Sequence, residues 1–101
     1  DILDGANWLI RYNLFRNIRG AAASPLTGPA VLMWGGSSNT ICESNTFIDC
    51  ERAIAFGLGP QAGFAHSHQG GIIRNNFIYR DSIVAGDAAI GVFDSPNEFL
   101  D

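Results

Sequence analysis

Three segments of the chain align with one another: residues 9–15 (LIRYNLF), 41–47 (ICESNTF) and 72–78 (IIRNNFI). Each reads apolar, two variable residues, Asn, one residue, large apolar. The triplets are Ile10/Asn13/Phe15, Cys42/Asn45/Phe47 and Ile73/Asn76/Ile78, with the asparagines 32 and 31 residues apart. A fixed period of this length is restrictive, because one short unit cannot bury its own apolar face and must stack on its copies.

Two further motifs keep company with the first. Residues 4–7 (DGAN), 36–39 (GSSN) and 94–97 (DSPN) each end three residues before Ile10, Cys42 and Leu100, so a fourth turn of the repeat is expected near the last residue. Residues 31–34 (VLMW), 53–56 (AIAF) and 89–92 (AIGV) are short apolar runs of strand length. Alternation along them predicts Leu32, Trp34, Ile54, Phe56, Ile90 and Val92 inside and Val31, Met33, Ala53, Ala55, Ala89 and Gly91 outside. Twelve glycines, eight asparagines and no stripe of 3.6-residue period argue against helices. The expected fold is all-β: a parallel β-solenoid of three short strands per coil and about 3 to 3.5 coils, occupying residues 1–101 as one segment of a longer solenoid. Equivalent residues then form inner columns: Ile2, Trp34 and Val92; Leu32, Ile54 and Ile90; Ile10, Cys42, Ile73 and Leu100; Phe15, Phe47 and Ile78.

The asparagines acquire a role from this geometry. A bend between strands needs a residue with positive φ, which Asn tolerates, and Asn13, Asn45 and Asn76 are expected to occupy it. Stacked one above another, their amides can hydrogen-bond from coil to coil, whereas a lone buried amide costs about 1–3 kcal/mol. Asn7, Asn39 and Asn97 are expected to cap the other turn.

The columns, the I-x-x-N-x-F units and the D/G-x-x-N turns resemble the right-handed parallel β-helix of the pectate-lyase-like superfamily, over nearly the whole chain. The resemblance implies a right-handed coil, a secreted or periplasmic protein, and polysaccharide as the ligand, with working residues on the outer face of one strand column and in the adjoining loops. The aspartate–histidine pair and the arginine-x-proline-x-x-arginine loop of pectate lyases do not occur in the sequence, and there is no lysine to act as base. Among the outward positions expected of the VLMW column, none carries an acid, base or metal ligand.

Charge removes some partners from consideration. Ten acidic residues against six arginines give a net charge of −4, which disfavours nucleic acid and anionic membrane surfaces. No apolar run has the length of a membrane-spanning helix, so membrane insertion is not expected. Residues 1–8 lack the pattern of an export leader, which an exported form would carry upstream. A stack of so few coils leaves strand edges open, and self-association, end to end or lateral, is expected through those ends.

Chemistry is sought where the repeat is broken. The segment 59–71 is the longest insertion, and its His66 and His68 are candidates for general acid/base groups or for two metal ligands. Without a third ligand no metal is assigned. Phe64 in the same segment and Trp8, expected to point outward, are candidates for stacking on a sugar ring. Glu51 and Asp87 sit at equivalent places in adjacent coils, where paired carboxylates can share a proton or bind Ca²⁺, although no cofactor is indicated. Arg52 and Arg80 can neutralise them; Arg80 is otherwise a ligand-binding candidate. Arg11, Glu43 and Arg74 are expected to form an ion-pair ladder on a solvated face. Cys42 is read as a small buried hydrophobe, with pairing to Cys50 left open. Two functions follow: a polysaccharide-binding or polysaccharide-processing segment whose reaction the sequence does not identify, or a non-enzymatic structural or interaction solenoid such as a surface scaffold or a filament or tail component.

Overall fold

Short runs of apolar residues punctuated by glycine and asparagine form strands and nothing longer. The computed structural model describes residues 1–20, 28–59, 62–81 and 89–93, and the backbone of 98–100. Among them are thirteen strands and no helix: β1 (Ile2–Leu3), β2 (Leu9–Arg11), β3 (Leu14–Arg16), β4 (Pro29–Trp34), β5 (Ser37–Ser38), β6 (Ile41–Glu43), β7 (Thr46–Ile48), β8 (Arg52–Phe56), β9 (His68–Gln69), β10 (Ile72–Arg74), β11 (Phe77–Tyr79), β12 (Ile90–Val92) and β13 (Glu98–Leu100). Every pairing is parallel. The strands form four sheets, ordered β1-β4-β8-β12, β2-β6-β10-β13, β3-β7-β11 and β5-β9, so that each sheet takes one strand from successive repeats. This arrangement is compatible with the expected β-helix. The middle repeats carry a fourth short strand, β5 or β9, that the sequence pattern did not separate from the turn beside it.

The register shows the repeat directly. Ile10 pairs with Cys42 and Cys42 with Ile73; Phe15 pairs with Phe47 and Phe47 with Ile78. Cys42 and Phe47 are wholly buried and Ile73 nearly so. The Phe15 and Phe47 rings stack with centroids 4.9 Å apart and 9° between planes. In the last repeat it is Phe99, not Leu100, that stands opposite Ile73; the offset from residues 94–97 misplaced that column by one residue.

The β4 expectation holds for Leu32, which is buried, but fails for its neighbours. Val31 and Met33 belong to the buried core, Val31 standing opposite Ile54, and Met33 opposite both Ile2 and Phe56. Trp34 is only half-buried, and its indole N–H donates to the Asp1 carboxylate at 2.7 Å. All four residues of VLMW are apolar, so alternation alone cannot select the inward face; pairing with β1 and β8 does. The unbranched Met fills the interior, and the Trp keeps its polar N–H where a partner can reach it. Ala53 and Ala55, expected outside, are also fully buried. Ile90 and Val92 do align with Ile54 and Phe56 but are 36% and 43% exposed.

Corners are turned by single residues with left-handed backbone. Tyr12, Ser44 and Asn75, at φ 59°, 53° and 55°, make one such column. They directly precede Asn13, Asn45 and Asn76, for which the sequence predicts that conformation. The three asparagines serve instead as hydrogen-bond hubs. The Asn45 Oδ1 accepts from the Asn13 backbone N–H and side-chain amide, both at 3.1 Å, and the Asn76 Oδ1 accepts likewise from Asn45 at 2.9 and 3.1 Å. The amide NH₂ groups of Asn45 and Asn76 also reach back to the preceding repeat, Asn45 to the Ile10 carbonyl and Asn76 to that of Cys42, both at 2.9 Å, while that of Asn13 donates to the Arg11 carbonyl at 3.0 Å. Asn7 and Asn39 are left-handed, at φ 61° and 55°, and Gly70 (φ 67°) occupies the same corner in the next repeat. A side chain at Gly70 would collide with the Asn39 amide oxygen, so in this repeat the corner takes a glycine. Asn97 lies outside the described residues.

Replacing Asn45 with Leu removes an acceptor from Asn13 and a donor from Ile10 and Asn76 at a site 1% exposed. Urea denaturation should show a loss of about 3 kcal/mol or more, against less than about 0.5 kcal/mol for Thr46→Ser on the outer face.

Candidate functional site

Residues 62–67, which lead into β9, meet the corner that follows β4. Gly36 receives them. The Gly36 N–H donates to the Ser67 carbonyl at 3.2 Å, and its own carbonyl accepts from His66 Nε2 at 3.0 Å. A carbonyl only accepts, so the Nε2 carries a proton, the tautomer that in a neutral imidazole leaves Nδ1 as the acceptor. Phe64 closes over the same residue: a methyl group built on Gly36, whose φ is 91°, would stand 2.5 Å from Phe64 Cδ1 and 3.1 Å from Asp4 Oδ1. Glycine is therefore required there both by backbone conformation and by the ring above it.

Trp8 stands at the equivalent corner of the first repeat. A methyl group on Gly5 would collide with Ile2 Cγ2 and stand 2.9 Å from the Trp8 Nε1, and Gly5 is joined to the Gly36 turn by its N–H donating to Ser37 Oγ at 3.1 Å. Ser38 N–H donates to the Gly5 carbonyl at 2.9 Å. Trp8 and Phe64 thus seat on glycines in successive repeats, 45% and 36% exposed, with the Asp4 carboxylate and His66 beside Phe64. The sequence does not mark Asp4 as a site residue, because the DGAN motif that holds it reads as a turn.

The other candidates are placed elsewhere. His68 is not in a loop. It lies in β9, fully buried, its ring stacked on Phe56 with centroids 4.3 Å apart and its Nε2 3.0 Å from Thr40 Oγ1. The His-x-His spacing therefore does not deliver two rings to one point: His66 bonds the Gly36 carbonyl and His68 the Thr40 hydroxyl. Glu51 accepts from the Gly20 N–H at 2.6 Å, and the Glu51 carbonyl accepts from Arg80 Nη1 at 2.7 Å, so this Glu and Arg hold the chain rather than one another's charges. Asp87 lies outside the described residues. Among the described residues no group of three His, Cys, Asp or Glu side chains is placed to hold a metal ion.

On the β2-β6-β10 face Arg11, Glu43 and Arg74 stand in register. The Arg74 Nε donates to Glu43 at 2.6 Å, while Arg11 is 3.9 Å from it, an outer-face ladder worth a fraction of a kcal/mol per pair. Cys42 and Cys50 are both buried free thiols. Burial pushes the Cys42 thiol up from 9.0 to about 12, against a smaller opposing effect of the Asn45 amide hydrogen bond. A thiol held neutral in this way is not a nucleophile.

Compared with protein-family models, curated proteins and solved structures, the chain matches none.

Two measurements check these placements. His68→Ala should cost about 2–4 kcal/mol in urea denaturation, as large-to-small changes at buried positions do, and His66→Ala much less. For Cys42 the unfolded thiol ionises near 9 and the folded one near 12. Its burial thus contributes stability fully below pH 9 that is lost as pH rises towards 12, by up to ~1.4 kcal/mol per pH unit. The stability advantage of the native chain over Cys42→Ala should shrink across that window.

Proposed function

We propose that the chain is a segment of a right-handed parallel β-helix of the pectate-lyase-like kind, and that it binds polysaccharide at the corner formed by Trp8, Phe64, Asp4 and His66. The ladder of asparagines and the four in-register parallel sheets support the first half of this reading. One observation carries the second: two partly exposed aromatic rings seated on glycines of adjacent repeats, with a carboxylate and an imidazole beside one of them. Aromatic faces pack against the C–H-rich face of a pyranose, and the carboxylate and Nδ1 accept from its hydroxyls. The reading is one of binding rather than of reaction, because the strongest acid/base candidates are already engaged. Glu51 holds a backbone N–H, and His68 is walled in against Phe56 and Thr40.

A second reading, a non-enzymatic interaction scaffold, draws support from a different face. Leu14, Phe77 and Tyr79, on the β3-β7-β11 sheet, are 66%, 62% and 49% exposed.

Affinity electrophoresis and calorimetry of the chain against a panel of neutral and acidic glycans separate the two. Binding should be found for at least one glycan, and Trp8→Ala or Phe64→Ala should each weaken it about five- to tenfold with the fold intact by circular dichroism. No binding across the panel, or binding indifferent to the double substitution, removes the saccharide reading.

A further inference from the structure

We propose that the outer face of the β3-β7-β11 sheet is a homodimer interface, in which two copies of the chain pack sheet against sheet with their repeats running in opposite directions. The face is defined by register. Phe15, Phe47 and Ile78 point inward, so the residues on either side of them point out: Leu14, Thr46 and Phe77 form one column and Arg16, Ile48 and Tyr79 the other. Leu14 and Phe77 are 66% and 62% exposed and Tyr79 49%, while Ile48 between them is half-buried. Contiguous exposed side chains of this size mark an interaction surface.

The pattern is self-complementary, and that identifies the partner as a second copy. A two-fold axis lying in the interface along β7 exchanges the first and third repeats while keeping each column over itself. Leu14 then meets the partner's Phe77, Thr46 meets Thr46, Ile48 meets Ile48, and Arg16 meets the partner's Tyr79. The Tyr79 hydroxyl donates to Asp81 Oδ1 at 3.4 Å, so the guanidinium arrives over an aromatic ring with a carboxylate at its rim. The other in-plane axis, along the stacking direction, would lay Arg16 on Leu14 and desolvate a charge against an aliphatic chain. Only the first arrangement matches apolar with apolar and charge with countercharge, as an isologous interface requires. Aligned sheets pack about 10 Å apart, close enough for the two columns of each copy to interdigitate.

The test is sedimentation velocity of the whole chain from about 5 to about 500 µM, a range suited to a small, weak interface. A reversible monomer–dimer equilibrium is expected. Phe77→Asp and Leu14→Asp, both at exposed positions, should each raise the dimer dissociation constant at least about tenfold without moving the urea midpoint. The decisive variants are charge reversals: Arg16→Asp or Asp81→Arg alone should weaken the dimer about threefold, and the two together should restore it, since each reversed residue then faces the other across the interface. A chain that stays monomeric throughout overturns the proposal. So does assembly that grows beyond the dimer and ignores Phe77→Asp, which would place the contacts at the open strand edges, or a double reversal no better than either single one. A monomer whose glycan binding is lost on Phe77→Asp would reassign the face to saccharide and overturn it equally.

Discussion

Stacking short repeats in parallel works only if every repeat turns its corners at the same residues, and the left-handed corner residue is what enforces this. Tyr12, Ser44 and Asn75 adopt it at one edge, Asn7, Asn39 and Gly70 at another, and Asn17 and Asp49 (both near φ 55°) at a third. Each corner turns the backbone sharply while its N–H still reaches a carbonyl of the next repeat: Asn7 to Ser38, Asn39 to Gln69, Asn17 to Ile48 and Asp49 to Tyr79, at 2.8 to 3.0 Å. Shifting one corner by a single residue would reverse the face of the strand after it and break the column. Because the corners stay in line, the asparagine amides meet, the Phe15 and Phe47 rings stack, and the wall is continuous.

The interior so created is not purely apolar. Asn45, Thr40, Ser37, Ser67 and His68 are as deeply buried as Phe47 or Ile54. Polar groups persist there because the stack gives them partners in kind, amide on amide and hydroxyl on imidazole or carbonyl. Ion pairs are left outside, where the Arg11–Glu43–Arg74 ladder orders a surface without carrying the fold. Repeating positions therefore serve the wall, and what departs from the repeat, the excursion bearing Phe64 and His66, reaches across to an adjacent repeat and builds a surface there.

Much of this was legible in the residues, for definite reasons. The I-x-x-N-x-F unit is asymmetric, with polar residues marking which positions face out, and its strands β2, β3, β6, β7, β10 and β11 fall where the spacing puts them. The same rule failed at VLMW, where no polar residue marks a face and only pairing with Ile2 and Phe56 decides that Met33 enters and Trp34 does not. The left-handed residue was assigned one position late, because the amide of Asn45 and the backbone of Ser44 serve one bend and only the amide announces itself in the sequence. At the candidate site, Phe64 stands out by its place in the longest insertion and Trp8 by its expected outward orientation. That Asp4 and Gly36 lie with Phe64 could not be read from the chain, since the contact joins residues some 30 or 60 positions apart. His68 misled for the opposite reason, since a histidine in a glycine-rich stretch reads as solvated, and it is the return to the wall at β9 that buries it.

Between β4 and β5 the chain passes from one sheet to the next through Gly35 and Gly36 alone, while the equivalent passage from β8 to β9 takes residues 57–67. Both deliver the following strand to the same register, Ser37 opposite His68. Length at this corner is thus invisible to the columns. In evolutionary terms the corner is an open port: a lineage can lengthen, shorten or replace the excursion there and change what the surface presents, while a single inserted residue between Cys42 and Phe47 would put the asparagine ladder out of step with its neighbours.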